Sequence, residues 1–143
     1  MIEGEGMRLL KIIISIILVC VVITVIVLWN VARVSASFAT SAIIKYNYMG
    51  VYIEEVITDE TELAELKNVL SGFAWTDSPS CGFSADISIT FTDGNKELVL
   101  CPACDGDPII RVGESDRYIG ISDEARNGLD AIVEKYGMIF PCI

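Results

Sequence analysis

The sequence predicts an α+β fold: an N-terminal transmembrane helix followed by an antiparallel sheet with two helices packed on one face. Three observations carry this. Leu9 to Trp29 reads LLKIIISIILVCVVITVIVLW, with Lys11 its only charge. Ala85, Ile87, Ile89 and Phe91 alternate with polar residues, the period of a strand with one wet face. Two later stretches repeat apolar residues at steps of three and four behind good capping residues, the period of amphipathic helices.

In order, residues 1–8 are expected to be a short cytoplasmic tail and residues 9–31 a signal anchor. The uncharged part, Ile12 to Trp29, reaches about 27 Å as a helix, close to the thickness of a bilayer core. Its Ile and Val content is poor for a helix in water. It costs little in lipid, where an unpaired backbone group is far more expensive. A cleaved signal peptide is the competing reading, with small residues suitably placed at Val34-Ser35-Ala36 and Ser37-Phe38-Ala39. The apolar run is longer than such peptides need, which favours an uncleaved anchor. Cys20 lies inside the span and reads as a small hydrophobe, with lipidation the lesser alternative.

Arg8 and Lys11 abut the apolar run, so the tail is expected inside and the C-terminal domain outside the cytoplasm. From Ser35 onward the chain has 18 acidic and 7 basic residues, a net of −11. That balance disfavours nucleic acid, because phosphate binding needs a basic surface. The lipid bilayer is the expected partner of the helix, with an envelope protein as the expected partner of the domain.

Residues 32–42, small and polar, read as a juxtamembrane stalk, and residues 43–143 as the folded domain. MGVYIEEVIT (49–58) reads as a strand. Thr58 or Asp59 caps a helix carrying Leu63, Leu66, Leu70 and Phe73 on one face, with Gly72 as its stop. WTDSPSCGFS (75–84) reads as a loop. The strand holding Ile87, Ile89 and Phe91 turns at Asp93-Gly94-Asn95 and returns through Leu98 and Leu100 on the same face. Two short strands follow, PIIRVG and YIGIS. Ser122 caps a second helix with an apolar stripe of Ala125, Leu129, Ile132, Val133 and Tyr136, stopped by Gly137. The order is β-α-β-β-β-β-α.

Chemistry concentrates in CPACDGDP (101–108). The chain has no histidine, which excludes Ser-His-Asp and Cys-His catalysis and mixed Cys/His zinc sites. No catalytic residue and no cofactor is expected, and an enzyme is the lesser reading. Cys81, Cys101, Cys104 and Cys142 are an even set in a small extracytoplasmic domain, the pattern of structural disulfides. The hairpin register weakly favours Cys81 with Cys104, leaving Cys101 with Cys142. Two alternatives stay open. One is a thiol-disulfide oxidoreductase using Cys101 and Cys104. Against it, the pair closes a strand instead of opening a helix, and Asp105 and Asp107 disfavour a thiolate. The other is a Cys₄ zinc site, if the domain is cytoplasmic. Asp105-Gly106-Asp107 reads as a solvated turn, lacking the spaced oxygen ligands of a calcium loop. Trp75 is expected to be a lid of the core or a contact residue.

RYIGISDEARNGLDAIVEKYGMIFPCI, with the CGFSADISITFTDG hairpin, resembles small single-pass exported proteins of Gram-positive, Clostridia-like bacteria, a group of unassigned function. The resemblance spans roughly residues 50–143. It implies an anchored outward domain and transfers no site residue.

Overall fold

The computed structural model describes residues 3–80 and 82–140. It divides into two units, 1–32 and 33–143.

The first unit is one helix, α1 (Glu3–Ala32). Within it Gly6–Trp29 is long and apolar enough to cross a membrane, and none of that stretch is buried by protein.

The second unit follows the α+β class expected. Its elements are β1 (Arg33–Val34), β2 (Ser41–Tyr48), β3 (Val51–Ile57), α2 (Glu60–Val69), β4 (Gly72–Thr76), β5 (Ile87–Thr92), β6 (Glu97–Pro102), β7 (Ile109–Val112), β8 (Arg117–Gly120) and α3 (Asp123–Lys135). The strands form one open antiparallel sheet in the order β1-β4-β8-β7-β6-β5-β2-β3. A meander, β5 to β8, fills its middle.

Three expectations change. The stalk expected at 32–42 contains β1 and the start of β2, and Ala36, Ala39 and Ala42 are buried. Small side chains there let the backbone pack closely against the core. The single strand expected over 49–58 is the second arm of a hairpin. Met49 and Gly50 form its loop, both with positive φ (49° and 80°), the twist that tight hairpins require. The expected helix stop at Gly72 begins β4 instead, after α2 ends two residues earlier at its cap, Leu70. That moves Phe73 off the helix stripe onto an exposed position in β4.

The two later helices form where the caps sit. The Asp59 carboxylate accepts from the Glu62 amide, and the Ser122 hydroxyl accepts from the Ala125 amide, each satisfying an orphan donor of the first turn. α3 ends at Gly137 (φ 80°). There the Gly137 amide donates to the Glu134 carbonyl and the Met138 amide to the Val133 carbonyl, a Schellman closure.

The core lies between the helices and one face of the sheet. Leu63, Leu66, Leu70, Leu129, Ile132 and Val133 join Ile87, Ile89, Phe91 and Leu100 in one cluster, with Leu98 packed at its margin. Ile44, Tyr46 and Ile57 extend it onto β2 and β3. Glu62 ties the helices together, accepting from Lys135 at 3.1 Å and from the Tyr136 hydroxyl at 2.8 Å.

Candidate functional site

β6 sets the facing of CPACDGDP. Leu100 pairs with Ile89 and points into the core, so Cys101 turns to the opposite face, beside Arg111 of β7. There the Cys101 thiol lies 3.8 Å from the Gly113 carbonyl, which also accepts from Arg111 Nε at 2.8 Å. Residues 101–104 are all buried.

Backbone hydrogen bonds fix the rest of the loop. The Ala103 amide donates to the Ile109 carbonyl at 2.9 Å, and the Cys104 amide to the Gly82 carbonyl at 2.8 Å. The Asp105 carboxylate accepts from the Asp107 amide, closing the turn at Gly106 (φ 91°). The aspartates thus shape a turn, as expected.

The residue that holds this loop to the core is Arg126 of α3, only 4% exposed. Its Nη1 donates to the carbonyls of Ala103 (3.0 Å) and Asp107 (2.9 Å), and its Nε to Asp130 at 2.9 Å. The Phe140 ring centroid lies 4.3 Å from the guanidinium carbon. Nη2 is buried without a hydrogen-bond partner among the described residues. A cavity of about 150 Å³ opens beside it, lined by Cys104, Asp130, Glu134, Met138 and Phe140 among others. Sequence reasoning missed Arg126, although 126, 129 and 133 share one helix face; that spacing was the available signal.

The surroundings of both thiols raise their pKa above the ordinary value. Burial, above all, pushes the Cys101 thiol up, and Arg111 offsets this only in part. Burial also raises Cys104, with the Asp105 carboxylate adding to it against the pull of Arg126. Neither cysteine stands at a helix N-terminus, so neither has the usual activation of a redox pair.

Among the described residues no two cysteines lie at disulfide distance, and Cys101 and Cys104 are free thiols. Cys81 and Cys142, the partners expected for them, lie outside the described residues. Within the described residues no group of three or more His, Cys, Asp or Glu is placed to hold a metal ion. Trp75 sits on β4 with its ring over Gly120, where an added Cβ would come within 3.3 Å of it. Its Nε1 donates to Asp77 at 3.3 Å, and the residue remains 39% exposed. It covers Gly120 of β8 while keeping an open side.

No family model, curated protein or solved structure matches this chain.

Proposed function

We propose that the chain is a membrane-tethered, non-enzymatic binding or inhibitory module whose acidic domain lies outside the cytoplasm. The observation that carries this reading is the pairing of two opposite regions. One is a 24-residue apolar helical stretch with none of its surface buried by protein. The other is an acidic domain in which Cys101 and Cys104 are buried. Uncovered apolar surface of that length calls for lipid. Neither of these two thiols is activated as a nucleophile, and the exposed carboxylates of the domain suit recognition by steering the encounter.

Structural disulfides belong to the same proposal. The bond between the Cys104 amide and the Gly82 carbonyl brings the neighbour of Cys81 beside Cys104, which supports Cys81 with Cys104.

Two assays test the reading. A reporter fused after Ile143 should be active only outside the cytoplasm; cytoplasmic activity would defeat the topology. Insulin reduction by dithiothreitol should proceed no faster with the protein present. Acceleration lost in Cys101→Ser or Cys104→Ser would replace the binding module with a thiol-disulfide oxidoreductase.

A further inference from the structure

The two ends of the sheet are finished differently. One ends in β1, two residues long. The other ends in β3, seven residues paired continuously to β2 on one side and, among the described residues, to no strand on the other. Sheet edges are normally protected by charged side chains, lysine above all, by proline, by a bulge or by shortness. β3, VYIEEVI, has no lysine or proline, its only charges are Glu54 and Glu55, and its register with β2 runs without a break.

Its side chains are also unusually open. Val51, Tyr52 and Val56 are 49%, 61% and 60% exposed, and Met49 in the adjoining loop is 86% exposed. Tyr52, Glu54 and Val56 alternate with residues directed to the helix side, so one face reads apolar, acidic, apolar. Glu55 lies on the other face, opposite Ile44, and is exposed as well.

A second copy of this chain fits this edge poorly. Antiparallel self-pairing centred on β3 sets Glu54 against Glu54, or Glu54 against Glu55, and directly opposed like charges destabilise a strand pair. A basic strand meets the opposite situation. We propose that β3 accepts an additional strand: an extended segment of a partner protein with lysine or arginine opposite Glu54 and Glu55 and apolar residues flanking them. Main-chain hydrogen bonds would supply affinity and the alternating side chains specificity. This rests on the binding-module reading and names the chemistry of its partner.

The test uses the full chain in lipid nanodiscs, followed by amide hydrogen exchange. The probes are an N-acetylated heptapeptide with two adjacent central lysines flanked by valine and threonine, and its counterpart with glutamate at those two positions. The lysine peptide should slow exchange across 51–57, and the glutamate peptide should not. Glu54→Lys with Glu55→Lys should weaken binding about tenfold. Glu54→Gln with Glu55→Gln, which is milder on the strand, should show a smaller loss with exchange elsewhere unchanged. Protection on α2 and α3 instead of β3 would overturn the edge assignment while leaving acidic recognition standing. Protection of 51–57 that grows with protein concentration and needs no peptide would mean a second copy covers the edge, and would also overturn it. Absence of protection by either peptide at about 1 mM would overturn it too, whatever the topology reporter shows.

Discussion

Two helices of this chain solve the same problem in different ways. α3 presents a stripe to the sheet: Leu129 is 0% exposed and Val133 2%, while Glu124 and Glu134 stay in water. α1 has no stripe. Leu18 is 63% exposed and Val22 49%, and its apolar residues run round the whole circumference. Apolar surface must leave water in both cases. In α3 protein removes it; on the membrane-anchor reading, lipid does so in α1. The pattern of burial, more than the amount of apolar residue, tells the two environments apart.

The largest test of that contrast places charge on α1. Ile17→Asp with Val21→Asp should cost about 2.5–3.5 kcal/mol per residue at the centre of a span. Carbonate extraction should then release the protein from the membrane fraction. Unchanged retention together with a less stable domain would mean that protein, and not lipid, covers α1. On the protein-covered side, Leu66→Ala should destabilise the domain by about 2–5 kcal/mol, read by urea denaturation of the detergent-solubilised chain. A loss under about 1 kcal/mol would mean that α2 packs elsewhere.

A smaller effect is expected at Arg126. Arg126→Met leaves the Ala103 carbonyl without its side-chain donor, a loss of about 1–3 kcal/mol. Exchange should quicken locally in 101–108, and a uniform change across the sheet would contradict the anchoring role. The smallest is Ser122→Ala, about 1 kcal/mol for a lost cap, measured as a shift in the urea midpoint with the slope unchanged.

These tests bear on what the sequence made legible. Both later helices, their caps at Asp59 and Ser122, the β5–β6 hairpin and its core face were readable because local signals agreed. Period, cap and turn residue pointed to the same element. The elements missed lacked that agreement. β2 begins among small residues that resemble a linker, and only long-range packing shows Ala36 and Ala42 to be core. The β2–β3 loop places methionine where asparagine or aspartate usually signals the turn, so the hairpin's first arm carried no local sign. β4 is short, and its glycine mimicked a helix stop. At the candidate site, the burial of CPAC and the anchoring by Arg126 depend on contacts 19 and 23 residues apart in sequence, which no local pattern encodes.

The strand order also has a consequence for how the molecule comes into being. The meander at the centre of the sheet lies in the second half of the domain, and β1 to β4, made earlier, flank it on both sides. A growing chain can close the β2–β3 hairpin early, but β2 must wait for β5, and β4 for β8. Chains emerge at roughly 5–20 residues per second, so β2 spends seconds with its inner side unmatched. The order of manufacture runs against the order of assembly: the centre arrives last, and the flanks close onto it once residues through Gly120 have been made.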